Sequence, residues 1–301
     1  MNVVELLINV MGPVIAIIAL GWFVGTRMEF DVGTLSRLAF WVLGPLFVLD
    51  VFSSTEIDRS TIVRLTIAGL AAMAVGAGIA YVGARLLKVT PSRTKATVMT
   101  SSYGNVGNAG LAISAFAFGE EAIPAAAVLM IVINSMGIFT GVALASIQSE
   151  GLVAAVKRSL LTPMAIAALV AVTLNLLDWD FPVVFERSIS IVGGALIPVM
   201  LITLGLQLAG DVRPKLDADM GIVIVAKLVA VPLAAAVVGW LIGLEGDDLG
   251  VLIIQSSMPP AVFTAVVALE FDLEPERVTT TVLSVTLVAL VTIPIALIAV
   301  T

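Results

Sequence analysis

Neither cysteine nor histidine occurs anywhere in the sequence. Their absence excludes disulfides, Cys/His metal sites and thiol or imidazole catalysis, so no metal, no cofactor and no enzymatic activity are expected. Charge is scarce too: 12% of the 301 residues, against about 25% in soluble domains. Lys and Arg number 15 against 22 Asp and Glu, a formal charge of −7, which argues against a nucleic-acid partner. The opening stretch Met1-Asn2-Val3-Val4-Glu5 lacks the positive region of a signal peptide, so the first apolar segment is expected to be retained.

What the chain has in excess is apolar sequence. Hydrophobic residues make up 60% of it and the mean hydropathy is +1.15, which predicts an all-α, polytopic protein whose partner is the lipid bilayer. A membrane-spanning helix needs about 20 apolar residues. Ten segments approach that length: 4–24, 35–54, 62–86, 95–118, 122–147, 162–177, 184–209, 220–244, 250–271 and 278–300. The longest connection, 148–161, is weakly amphipathic and suits the membrane surface. Eleven Lys and Arg fall in the loops and ends after the odd-numbered segments, against Arg59, Arg64 and Arg187 on the other side. That bias predicts a cell-membrane protein with both termini outside.

Two segments are interrupted. In the fourth, Ser101-Ser102-Tyr103-Gly104-Asn105-Val106-Gly107-Asn108-Ala109-Gly110 is poor helix material, since glycine costs roughly 1 kcal/mol per helical position. In the ninth, Gln255-Ser256-Ser257-Met258-Pro259-Pro260-Ala261 loses two N–H donors to proline and must break or kink. Irregular backbone at membrane depth survives only against protein or a water-filled cavity. A pair of such breaks in corresponding halves points to a transporter's binding site.

The halves do correspond. Arg64 to Gly76 aligns with Lys227 to Gly239, Ser101 and Ser102 with Ser256 and Ser257, Phe116 with Phe271, and Glu121 with Glu276. Pro13 pairs with Pro163 and Pro45 with Pro198. The expectation is a first five-helix repeat over 1–147, a cytoplasmic connector over 148–161 and a second repeat over 162–301. Because five is odd, the second copy is inverted, and the broken fourth and ninth helices cross near the bilayer centre.

Asn105-Val106-Gly107-Asn108-Ala109-Gly110-Leu111, followed by Phe116-Ala117-Phe118-Gly119-Glu120-Glu121-Ala122, resembles the helix 4 signature of the auxin efflux carrier family. Gly205-Leu206-Gln207-Leu208-Ala209 resembles its helix 7 ending, and Ser257-Met258-Pro259-Pro260-Ala261 its helix 9 crossover. Many members carry proline where this chain has Ala112, so the break here is expected to rest on Gly104, Gly107 and Gly110. The family includes malonate and malate carriers and the plant PIN exporters. The resemblance implies a fold similar to the bile acid–sodium symporters, with scaffold helices 1, 2, 6 and 7, transport helices 3–5 and 8–10, and a homodimer formed through the scaffold.

The candidate substrate-binding residues are Ser101, Ser102, Asn105, Gly107, Asn108, Ser256, Ser257, Pro259 and Pro260. Each has a plainer reading. The asparagines could cap freed backbone, the serines could bond back to their own helix, and the glycines could serve close packing. Candidate coupling or supporting residues are Asp50, Lys227, Asn134 and Gln207. Lys227 lies about seven residues inside its segment, near enough to snorkel at 1.5 Å per residue or deep enough to be functional. Asp50 is a proton carrier or an interfacial acid. Asn134 and Gln207 are lining amides or interhelical partners.

Half-helix N-termini attract anions without a fixed cation. The expected function is therefore secondary transport of a small organic anion, a malonate- or auxin-like carboxylate, by alternating access, with H+ or Na+ as candidate coupling ions. The alternative is a sodium-coupled symporter of the bile acid type, which would draw oxygen ligands from Ser101, Asn105, Gln255 and Ser256. A structural scaffold is a weaker rival, because two polar breaks are costly without a cavity to serve.

Overall fold

The computed structural model describes residues 5, 7–54, 58–146, 161–177, 179, 181–210, 217–270 and 273–301. The connector expected over 148–161 lies outside these residues except for Leu161. The described chain is helical apart from its connections and one isolated antiparallel bridge. Twelve helices follow in order: α1 Ile8–Gly25, α2 Val32–Ser53, α3 Arg59–Leu86, α4 Pro91–Ser102, α5 Val106–Phe118 and α6 Ile123–Ser146. The second half supplies α7 Pro163–Leu176, α8 Val183–Leu208, α9 Ala218–Leu241, α10 Gly246–Ser256, α11 Phe263–Glu270 and α12 Pro275–Val300. Seven of the helical stretches are long and apolar enough to cross a membrane. Large apolar side chains such as Trp22, Trp41, Leu169, Phe185, Leu233, Trp240 and Ile295 stay exposed, as a surface solvated by hydrocarbon allows.

Several spans are locally widened, and proline explains most of it. At the start of α1 and within α2 and α9, the turns Leu7–Met11, Ala39–Leu43 and Ile224–Ala230 are π-helical. Each is followed two residues later by proline: Pro13, Pro45 and Pro232. A proline removes the N–H that would reach four residues back, and its ring collides with that carbonyl. The preceding turn relaxes to five-residue bonding, as in Gly44 N–H to Ala39 O and Val231 N–H to Ala226 O. The same widened turn, Val106–Gly110, opens α5, yet Ala112 stands at the proline's offset.

Packing separates two sets of neighbours. The second half of α8 lies along α1, while α2 packs against α7 and the first half of α8. Around α3 are gathered α4, α6 and α9, and α10 packs on α9, α6 and α5. The α1–α8 contact is backbone to backbone. A Cβ on Gly205 would sit 2.1 Å from Ile18 O, and one on Gly21 would sit 2.3 Å from Ile202 O. At one end Arg93 of α4 and Arg277 of α12 share Asp219 at 2.7 and 2.8 Å, with Asp217 at 2.5 Å from Arg277. This cluster ties α4, α9 and α12 together. At the start of α3, Asp58 accepts hydrogen bonds from the Ser60 and Thr61 amides. With the Ser60 hydroxyl as the largest cause, they hold this exposed carboxyl below its ordinary pKa.

Candidate functional site

The two interrupted stretches meet. Helix α4 stops at Ser102 and α5 begins at Val106, while α10 stops at Ser256 and α11 begins at Phe263. Between them Asn105 N–H donates to Pro259 O at 2.7 Å, Ala261 N–H donates to Tyr103 O at 2.9 Å, and Gly104 faces Pro260 in an antiparallel bridge. Each break therefore satisfies backbone groups that the other has freed, away from water. The register also explains the prolines. Gly104 and Pro260 form the non-hydrogen-bonded pair of the ladder, where no N–H is asked of residue 260. Pro259 contributes only its carbonyl.

The glycines divide their work differently from the sequence expectation. The break itself occupies Tyr103 to Asn105, so of the three glycines only Gly104 lies in it. Gly107 and Gly110 belong to the widened first turn of α5. A Cβ on Gly110 would stand 2.3 Å from Gln255 Oε1, which makes this a close-packing position between the two broken segments.

A cavity of about 80 Å³ opens beside the crossing. Its polar wall carries Tyr103, Asn105, Asn108, Asn134 and Gln207, together with Ser36 of α2. Its apolar wall is Phe40, Met130, Met164, Leu196 and Met200. Gly107, Ala261 and Val262 bring it against the N-terminal ends of α5 and α11. First-turn amides there have no intrahelical acceptor and the helix ends carry partial positive charge.

Of the residues expected at the site, Asn105, Gly107, Asn108, Asn134 and Gln207 line this cavity. Asn105 is 6% exposed and occupies the N-cap position of α5, but its side chain makes no capping bond, and its Nδ2 is buried without a partner. Gln207 Oε1 is likewise buried and unpartnered. Asn134 Oδ1 accepts from the Tyr103 hydroxyl at 2.9 Å, so it is both a lining amide and an interhelical partner.

The serines stand at the crossing and not on the cavity wall. Ser102 and Ser257 spend their hydroxyls on Met99 O and Ile253 O of their own helices, the plainer reading. Ser101 Oγ is buried with no partner. Ser256 offers its carbonyl to Lys227 Nζ at 3.0 Å. Lys227 is 2% exposed, so it does not snorkel. Holding a charge there would carry an effective penalty of several kcal/mol. Asp50 lies beside Ser190 of α8 and is absent from the cavity wall.

Two participants escaped sequence reasoning. Tyr103 reads as an ordinary aromatic, yet its ring is buried against Gly137, where a Cβ would come within 2.4 Å of it. Gln255, considered above only as a possible sodium ligand, is fully buried with both amide atoms unpartnered. A glutamine inside a break would have been the available signal. The three methionines and Phe40 carry none, because apolar residues are everywhere in such a chain.

A helical protein with several membrane spans and two broken segments closing on a partly polar cavity has the build of a membrane transporter. Residues 149–297 match the family described as "Membrane transport protein". The chain is 28% identical over 289 residues to an "Uncharacterized transporter" of Methanothermobacter thermautotrophicus, covering 94% of each. It is 22% identical over 294 residues to a "Putative malonate transporter" of Rhizobium meliloti, covering 93% of this chain and 92% of that one. Over 118 residues, 37% of this chain and 19% of the plant protein, it is 31% identical to auxin efflux carrier component 7 of Arabidopsis thaliana. These similarities are to membrane transporters, not to enzymes, and they include proteins of the auxin efflux carrier family.

Proposed function

We propose that the protein carries a small organic anion, a carboxylate of malonate- or auxin-like size, by alternating access at the crossing of its two broken segments. The observation that carries this reading is the cavity at the N-terminal ends of α5 and α11 with the unpartnered Asn105 Nδ2 on its wall. Donors and helix-end dipoles converge there with no carboxylate on the wall, which favours negative charge. Asn105, Asn108 and the neighbouring amides hold the charged end. Phe40, Met130, Met164 and Met200 cover the carbon skeleton.

Further elements of the proposal rest on sequence and packing. The chain forms ten membrane segments, two inverted repeats of five, with α4 and α5 as the broken fourth and α10 and α11 as the broken ninth. The set α1, α2, α7 and α8 serves as scaffold and dimer interface, and the set around α3 moves against it; the packing of these two sets supports the division. Both termini face outside the cell membrane, on the Lys/Arg bias.

The test is uptake by purified protein in proteoliposomes. Mono- and dicarboxylates and indole acids are offered with and without proton and sodium gradients. Saturable uptake of at least one, lost in Asn105→Ala, is the expected result. Uptake unchanged in that variant would remove the crossing from the transport path.

A further inference from the structure

The cavity uses one side of the crossing. Lys227 stands at the crossing but off the cavity wall, and its Nζ bonds Ser256 O at 3.0 Å. That carbonyl belongs to the last residue of α10, where helix carbonyls lose their intrahelical donors and carry partial negative charge. The lysine reaches it past Gly104: a Cβ there would lie 2.9 Å from Nζ and 3.2 Å from Cε. Among the described residues no carboxylate stands within ion-pair distance of it. The buried amino group thus meets a backbone carbonyl at the end of a broken helix. Broken transporter helices offer the same kind of environment to a free monovalent cation.

We propose that Lys227 is a built-in cation, its ammonium filling the carbonyl end of the crossing that an exchangeable sodium ion would otherwise occupy. The widened turn Ile224–Ala230 before Pro232 carries Lys227, the absent side chain of Gly104 leaves it room, and the carbonyl of Ser256 receives it. Helix α9 is in this way fastened to both breaks at once. If the carrier reading above holds, the consequence is transport with no sodium requirement. The inference about Lys227 stands or falls on stability and not on that reading.

The experiment is thermal unfolding of detergent-purified protein at constant ionic strength, in choline, sodium or potassium chloride. Wild type is expected to melt at the same temperature in all three. Lys227→Ala, which empties the site, should melt several degrees lower and regain stability with added n-propylammonium, the missing end of the side chain. Lys227→Met, which fills the space without a charge, should not respond to the amine, and neither should wild type. A wild type stabilised by sodium over choline would overturn the proposal. So would a Lys227→Ala protein as stable as wild type, or one that the amine does not rescue. If neither variant folds, the cation series on wild type decides alone. Failure of carboxylate uptake in proteoliposomes would sink the carrier reading and leave these melting results as they are.

Discussion

The contact between α1 and α8 and the crossing of the broken helices are both places where backbones come close, and they are built on opposite principles. At α1–α8, Gly21 and Gly205 let two helices touch main chain to main chain. At the crossing the helices are given up, and the freed groups bond across at 2.7 and 2.9 Å. At the first contact the atoms facing both glycines are main-chain atoms of the opposite helix. The second gathers Ser101 Oγ, Asn105 Nδ2 and both amide atoms of Gln255 as buried groups without partners. Each such group destabilises the protein by about 1–3 kcal/mol unless something binds it. Close approach alone therefore needs only small residues, whereas an interrupted helix leaves amides for water or a ligand to satisfy.

That contrast can be broken first at the packed side. Gly205→Ala would push a methyl into Ile18 O at 2.1 Å and Trp22 N at 2.6 Å, main-chain atoms that cannot swing away. About 3 kcal/mol of stability should be lost, in the range of severe overpacking. Unfolding in detergent would show it as a markedly lower melting temperature, with ligand affinity of the surviving folded protein unchanged. Altered affinity at normal stability would reverse the roles assigned to the two regions.

On the crossing side, Asn105→Ala should do the opposite. A hydrogen bond to a charged group is worth about 1.5–3 kcal/mol, so ligand affinity should fall roughly ten- to a hundredfold while the melting temperature holds. Equilibrium binding of whichever carboxylate the uptake screen selects measures it. Lower stability with normal affinity would mean that the amide serves the fold.

A finer probe is Tyr103→Phe, which removes the hydroxyl that donates to Asn134 at 2.9 Å and little else. The expected loss is about 1 kcal/mol, the net worth of a neutral hydrogen bond. It should be divided between stability and affinity, since the pair both joins two helices and lines the cavity. No change in either would mean that Asn134 finds another donor.

The smallest effect belongs to a cap outside both regions. The Asp58 carboxyl is held below its usual pKa in the folded protein by the Ser60 hydroxyl and by amides at the start of α3. A lowered pKa contributes stability above the unfolded value of 3.8 that is lost as pH falls through the folded one. Asp58→Ala should thus melt slightly below wild type near pH 6 and converge with it below pH 4. A gap that widens on acidification would contradict the sign.

Much of this was legible in the chain itself. The membrane class follows from composition, because no other solvent accepts so much apolar surface. The two breaks follow from Gly104, Pro259 and Pro260, because glycine and proline act on their own local backbone. The absence of thiol and imidazole chemistry follows from residue types alone. Tertiary structure decided everything that depends on a partner distant in sequence. It made the non-bonded position opposite Gly104 the seat of Pro260 and turned Gly110 into a packing contact with Gln255. It assigned Ser102 and Ser257 to their own helices and Asn105 to the cavity, although all of them are small polar residues in a break. It also set Lys227 against a carbonyl 29 residues away, where depth along a helix could not distinguish snorkelling from burial. Composition and local stereochemistry act within a few residues. Which side chain meets which carbonyl is settled only when the helices pack.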